Sequence, residues 1–273
     1  MNYVYVYLIL FVAAVYFILW TTIKNEYNRS RAIAVVIVMV LIFLSSFKAS
    51  SVGYDSQNYI NIFNVIGANS FKSVMFADMF RFEKGFVLYT WIMYHISSSH
   101  LIYFFFSYVI IYLLIYKWSV DNSDQPGFTI FVLMCVFFPF MLTGFRQTIA
   151  MAIIICSFTY YKKHEWFKCL LIILAAFLFH ASSIIILFIY LLALIRKFWI
   201  RNSIILLGAA LVVLRREAVF DFANSFMSQY EKFQIENGSK PYLYIAMLVI
   251  IYIAVIFLRK QIVRDYSDEE NEG

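Results

Sequence analysis

Five ionisable residues lie at or near the ends of long apolar runs in a chain that carries few charges. They are Asp55, Arg81, Glu83, Arg146 and His180. An ionisable side chain at membrane depth is costly, so such residues are interpreted first as functional. A guanidinium matches two phosphate oxygens, and a carboxylate or a neutral imidazole accepts a proton. The set indicates chemistry on a phosphate-bearing substrate.

The strongest local pattern is Gly144-Phe145-Arg146-Gln147, in which Arg146 has apolar residues on both sides. Gly144 permits a tight turn, and Gln147 adds a polar group that would bind substrate. The alternative is an arginine that snorkels to the outer headgroups. His180 joins two apolar runs with almost no loop, and its alternative is a structural histidine whose hydrogen bonds are satisfied.

The remaining polar positions have weaker patterns. Asp55 precedes an amphipathic turn that contains Tyr59. Asp55 would take part in the chemistry or cap a short surface helix. Tyr59 would stack on a sugar ring. Arg81 and Glu83 open an apolar segment, and they would serve the site, pair with each other or bind headgroups. The neighbouring residues Arg215 and Arg216 would hold lipid headgroups or a second phosphate.

Composition places these residues in a membrane protein. The 273-residue chain is 63% hydrophobic and 14% charged, with a mean hydropathy of +0.79, so lipid must be its solvent. The net charge of +6 comes from small basic clusters between apolar runs, which indicates topology rather than nucleic-acid binding. Three cysteines without ligand spacing predict neither a disulfide framework nor a metal site. Hydrolase, zincin and nucleotide-binding motifs are absent from the sequence.

The apolar runs predict an all-α, polytopic transmembrane helix bundle with about nine crossings and one re-entrant segment, 83–97. The predicted crossings are residues 3–23, 32–47, 101–118, 128–143, 146–161, 166–180, 181–196, 201–214 and 241–258. The first is interpreted as a retained helix rather than a signal peptide, because no basic n-region or cleavage site accompanies it.

Basic clusters set the predicted orientation. Four connections, 24–31, 162–168, 196–201 and 259–264, are all cytoplasmic only if 83–97 returns to the side it entered from. The N-terminus is then outside and the C-terminus inside. The prediction is one transmembrane domain, 1–258, with outer loops at about 48–82 and 215–240, and a disordered cytoplasmic tail, 259–273. The five ionisable residues then share the outer face.

The order of four motifs resembles the EpsG family of exopolysaccharide-biosynthesis membrane proteins, relatives of the Wzy-type O-antigen and capsule polymerases. The motifs are Asp55-x-x-x-Tyr59, Arg81-x-Glu83-x-Gly85-Phe86, Gly144-x-Arg146-Gln147-x-Ile149-Ala150 and Phe179-His180-x-Ser182. The similarity covers roughly residues 35–200. It implies a Wzy-like, GT-C-type bundle that polymerises oligosaccharide repeat units carried on undecaprenyl diphosphate, at the outer face of the bacterial cytoplasmic membrane.

In that scheme Arg146 stabilises the departing lipid diphosphate, assisted by Arg81 or by Arg215 and Arg216. His180 or Asp55 accepts the proton of the attacking hydroxyl, and the sequence does not choose between them. Neither a metal, a nucleotide sugar nor another cofactor is required, because the energy lies in the lipid diphosphate bond.

Membrane lipids and other polysaccharide-assembly proteins are the expected further partners. Two other functions stay open: a transporter that flips lipid-linked sugars, and a non-catalytic assembly subunit. The assembly subunit is considered because members of the family usually continue through further membrane helices beyond the length of this chain. A transporter is expected to carry charges along a whole path, whereas here they cluster on one side.

Overall fold

The computed structural model is helical throughout the part of the chain it describes. That part contains no strand and lies in one compact unit, Met1–Ala223. It comprises residues 11, 13–15, 17–18, 21–22, 25–49, 52–53, 55–76, 80, 82–195 and 197–215. The predicted all-α class is therefore confirmed for these residues. The predicted crossing 241–258, most of 3–23, Arg81, Arg216, the tail and nearly all of the 215–240 loop lie outside them.

The helices follow one another with short connections. In chain order they are α1 (Glu26–Ser46), α2 (Ser56–Gly67), α3 (Phe71–Phe76), α4 (Lys84–Ile96), α5 (His100–Asn122), α6 (Pro126–Thr143), α7 (Phe145–Ile155), α8 (Ser157–Lys162), α9 (Trp166–Phe177), a 3-10 turn (Ala181–Ile184), α10 (Ile185–Ala193) and α11 (Phe198–Leu214). Among the described residues, α1, α5 and α6 are long and apolar enough to cross a membrane. The chain is a membrane protein, and its count of about nine crossings stays a prediction.

The centre of the bundle is the contact of α1 with α5 and α6. Small residues let α1 and α6 approach closely: the Gly127 amide donates to Ser30 Oγ at 3.0 Å, and a Cβ on Gly127 would lie 2.6 Å from the Ser30 carbonyl oxygen. Small residues with a hydrogen bond between helices are typical of membrane interfaces, where lipid tails offer no hydrophobic drive to associate.

Tyrosines on α5 fill the interior between these helices. Tyr103, Tyr108 and Tyr112 are almost fully buried. Their hydroxyls would be costly without partners in a medium without water. Each has one: Tyr103 bonds Thr90 at 3.1 Å, Tyr112 bonds Ser45 at 2.9 Å, and Tyr108 donates to the Met141 carbonyl at 3.4 Å. The polar ladder fixes how α5 faces its neighbours.

The segment predicted to re-enter the membrane contains α4, a helix of 13 residues. At 1.5 Å per residue it rises roughly 20 Å, short of a ~30 Å hydrocarbon core. It packs on α2 and α3, the two short helices of the predicted outer loop. A Cβ on Gly67 of α2 would overlap the Tyr94 ring at 1.9 Å, so the two helices cross in close contact. That this segment returns to the side it entered from stays a prediction.

The crossing predicted over 146–161 is interrupted at one residue, and the prediction of a crossing there stays a prediction. The chain breaks at Cys156 into α7 and α8. The Cys156 amide bonds the Ile153 carbonyl at 3.2 Å, a tighter 3-10 connection, while its thiol lies 3.6 Å from the Ala152 carbonyl. In a continuous α-helix the Cys156 amide would donate to the Ala152 carbonyl. Here the Cys156 thiol lies beside that carbonyl instead. The 181–196 segment likewise begins as a 3-10 turn rather than an α-helix.

Candidate functional site

Glu83 stands directly before α4, at the position that usually caps a helix. Its backbone is extended (φ −59°, ψ 134°), and its side chain makes no capping hydrogen bond. The carboxylate turns instead toward two distant parts of the chain. One oxygen pairs with Arg146 at 2.5 Å, and the other accepts the Ala181 amide at 2.9 Å. A carboxylate with a cation on one oxygen and a backbone donor on the other is held in a fixed orientation.

Arg146 enters the site from the first turn of α7, immediately after the Gly144 turn. Its side chain is 14% exposed, comparable to the 13% of its partner Glu83. The guanidinium lies over the Phe82 ring at 4.7 Å and near the Phe86 ring at 5.7 Å. A snorkelling arginine would extend away from the protein, so this geometry favours the interpretation of Arg146 as part of an internal site.

His180 occupies the connection between α9 and the 3-10 turn, in extended backbone. Its residue is 6% exposed. Nδ1 lies 3.4 Å from Glu83 Oε1, the oxygen that already accepts the Ala181 amide. The Nδ1 contact is longer than a usual hydrogen bond, and Nε2 has no hydrogen-bond partner among the described residues. This differs from a structural histidine with satisfied nitrogens, because buried polar atoms normally find partners.

A backbone contact brings the three side chains together. The Phe86 amide donates to the Leu178 carbonyl at 3.1 Å, joining the first turn of α4 to the end of α9. Gly85 makes this approach possible, since a Cβ there would lie 2.6 Å from Leu178 Cβ and 2.7 Å from its carbonyl oxygen. The glycine in the Glu83-x-Gly85-Phe86 pattern therefore has a packing reason: it lets Glu83 reach His180 and Arg146.

Asp55 lies directly before α2, and Tyr59 lies within α2, where its ring packs against aromatic residues beside the cluster. Asp55 takes the N-cap position but makes no capping side-chain bond, so only the position of the predicted cap is observed. Tyr59 is 9% exposed and packs against Phe86 at 6.2 Å and Phe145 at 5.3 Å. Its ring thus supports the residues that flank Glu83 and Arg146. Among the described contacts, none joins Asp55 directly to the Glu83 cluster.

The other predicted positions are placed as follows. Gln147 is half-buried beside the Gly144 turn, where its Oε1 lies 3.0 Å from the position of a Cβ on Gly144. Arg215 is exposed after the end of α11, and within the described part of the chain no contact joins it to Glu83. Arg81 and Arg216 fall outside the described residues, and their predicted roles stay predictions.

Lys48 is a charged residue near the site that the sequence patterns did not single out. Its ammonium group donates to the Leu142 carbonyl at 2.5 Å, at the end of α6. It also lies 5.8 Å from the Phe104 and Tyr108 ring centroids. Burial lowers the pKa of Lys48 to about 8. In the sequence, Lys48 is marked only as a single lysine two residues past an apolar run. Lysines are common at helix ends, so this pattern does not indicate a site.

Arg146, Glu83 and His180 together place a cation, a carboxylate and an imidazole in one largely buried site. Such a set stabilises negative charge that develops on a phosphate and moves a proton. Within the described residues, no group of three or more His, Cys, Asp or Glu side chains is arranged to hold a metal ion.

Comparison with known proteins gives one match. The model of the EpsG family matches residues 31–271. Neither the curated proteins nor the solved structures contain a match. The matched range includes all five ionisable residues with which the sequence analysis began.

Proposed function

We propose that this chain, which belongs to the EpsG family, joins lipid-linked oligosaccharide repeat units into a polysaccharide at the outer face of the bacterial cytoplasmic membrane. Family membership and the apolar helices make it a membrane protein of exopolysaccharide biosynthesis. The polymerase activity is the proposal. The observation that carries it is the convergence of Glu83, Arg146 and His180 from three separate helix starts.

The reaction transfers the growing chain to a fresh repeat unit. A hydroxyl at the non-reducing end of the new unit attacks the anomeric carbon of the chain carried on undecaprenyl diphosphate. A new C–O bond forms, the bond to the diphosphate breaks, and the diphosphate leaves with the electron pair. The hydroxyl proton passes to a base. The energy comes from the lipid diphosphate bond, so no nucleotide sugar enters this step.

Arg146 would stabilise the leaving diphosphate. It carries a permanent charge and several donors in a planar fork, of which Nη1 is directed to Glu83. The pairing neutralises the buried charge before substrate arrives and fixes the guanidinium plane. Fixed donors aimed at a developing charge, in a place from which water is largely excluded, usually make the largest catalytic contribution.

His180 is the better placed of the two candidate bases. A hydrogen on Nδ1 would be shared with Glu83 Oε1 across the 3.4 Å separation, leaving Nε2 to accept the proton of the sugar hydroxyl. Catalytic hydrogen bonds that are long without substrate commonly shorten in the complex. Asp55 has no contact of this kind with the described cluster, so His180 is the base in this proposal.

The test is the location and size of the lipid-linked intermediate. Cells that lack the gene, or carry His180→Ala or Arg146→Ala, are expected to accumulate single repeat units on lipid at the outer leaflet. An added glycosidase or lectin would reach them in intact cells. Units trapped at the inner leaflet would refute a polymerase and indicate a flippase. Normal polymer from both variants would refute the roles of these two residues, and cells without the gene that show neither trapped units nor a polymer defect would favour a non-catalytic assembly subunit.

A further inference from the structure

The carbonyl of Leu142, at the end of α6, is approached by two residues from the segment after α1. Lys48 Nζ donates to it at 2.5 Å. A Cβ built on Gly53 would lie 2.3 Å from the same oxygen, and Gly53 has a φ of +89°, a conformation that favours glycine. The sequence therefore places a lysine and a glycine where both meet one backbone atom of another helix.

This carbonyl belongs to the turn from which Arg146 departs. Gly144 ends α6 and begins α7, with its amide bonded to Phe140 at 2.9 Å and its carbonyl to the Thr148 amide at 2.8 Å. Pro139 removes one internal hydrogen bond from the last part of α6. A contact from outside α6 and α7 can therefore help to hold this turn, and Lys48 supplies one.

The rings under Lys48 connect it to the other side of the turn. Phe104 and Tyr108, which face the ammonium group, also pack on Phe145 at 5.2 and 5.7 Å. Phe145 is 1% exposed and directly precedes Arg146. Lys48 thus contacts Leu142 directly, on the chain before Gly144. Through the two rings it is also linked to Phe145, on the chain after Gly144.

We propose that Lys48 is a positioning residue of the proposed site, whose ammonium group holds the α6–α7 turn and so sets the direction in which Arg146 meets its anionic substrate. The inference rests on the proposed function. A positive group at the end of α6 is favoured by the helix dipole, and α6 has no basic residue of its own in its last turn. The carbonyl and the rings both favour the charged amine, which opposes the effect of burial on the Lys48 pKa.

The chain offers a matched set of variants. Lys48→Met keeps the length and removes the charge, Lys48→Gln keeps a neutral donor, and Lys48→Arg keeps charge and donor. Lys72→Met changes an exposed lysine of α3 and serves as the control. Each purified protein would be given the single lipid-linked repeat unit isolated from the deletion strain, and polymer would be measured per amount of protein.

Lys48→Met is expected to lose about 10- to 100-fold of the activity, since misplacing a catalytic group by about 1 Å costs on that order. Lys48→Arg should restore most of it, Lys48→Gln little, and Lys72→Met should match the wild type. Because Lys48 acts through Arg146, adding Lys48→Met to Arg146→Lys should cause no further loss. Where Arg146→Lys alone is below detection, the order of the three Lys48 variants decides.

Several results would overturn the inference: full activity of Lys48→Met, equal activity of Lys48→Gln and wild type, or losses that multiply in the double variant. Failure of the proposed function looks different, because the purified wild-type protein would then form no polymer from the isolated repeat unit. Impaired Arg146→Lys with normal Lys48 variants would refute the role of Lys48 alone. If Lys48→Met does not reach the membrane, the comparison of Lys48→Gln with Lys48→Arg carries the test.

Discussion

Removal of the Glu83 carboxylate should be expensive because it leaves a buried charge without compensation. In Glu83→Ala the Arg146 guanidinium, 14% exposed, loses its ion-pair partner, and the Ala181 amide loses its acceptor. Breaking a buried pair by removing one partner costs about 3–5 kcal/mol. Little solvent is present to screen the loss, so we expect Glu83→Ala to fall in this range.

The measurement is thermal unfolding of the purified protein in one detergent, compared among variants. Glu165→Ala is the matched control, since Glu165 pairs with Lys168 through side chains that are 36% and 61% exposed. Exposed pairs contribute little to stability, so this variant should unfold close to the wild type. In Glu83→Ala/Arg146→Met both charges are gone, and part of the lost stability should return.

Two outcomes would refute this reasoning. Equal unfolding temperatures for Glu83→Ala and Glu165→Ala would mean that Glu83 is solvated and does not hold Arg146. Losses in the double variant equal to the sum of the single losses would mean that the two residues do not interact. The proposed assignment of Glu83 as the residue that orients both Arg146 and His180 would then fail.

Three other predictions test separate parts of the structure. Arg146→Lys should lose most polymer while the protein stays in the membrane, because lysine lacks the planar fork; normal polymer from this variant and Arg146→Ala would reduce Arg146 to a lipid anchor. Gly85→Ala should destabilise the protein and lower polymer, as the new methyl would overlap Leu178 at 2.6 Å; unchanged unfolding would show that α4 and α9 are not in contact. A cysteine at Ser70 should be labelled from outside intact cells and one at His164 should not; external labelling at His164 would contradict nine crossings.

The sequence predicted the family and the helical class better than it predicted which side chains pair. The family and the all-α class of the described residues are confirmed. Arg146 and His180 could be found because a charge within an apolar run is unusual. Their shared partner could not, since the ion pair links positions 63 apart and the local pattern offered Arg81 as a nearer partner for Glu83.

The sequence patterns did not predict the helix break at Cys156 or the contact of Lys48, for a different reason. No glycine or proline marks the break at Cys156, where a thiol takes over a carbonyl from the chain's own amide. Lys48 was missed because its importance depends on which helix end lies opposite it, and hydrophobic periodicity carries no such information. Crossing number and orientation stay predictions.

The long sequence separation between Glu83 and Arg146 also has a consequence for biosynthesis. Arg146 is translated 63 residues after Glu83, which takes about 3–13 s at roughly 5–20 residues per second. During that interval α4 exists without its counter-ion, and the carboxyl must remain in water or carry a proton. The ion pair therefore forms only after α5 and α6 have been made. A nascent chain that stalls between the two residues would present a solitary acid at the membrane surface, chemically distinct from the finished protein.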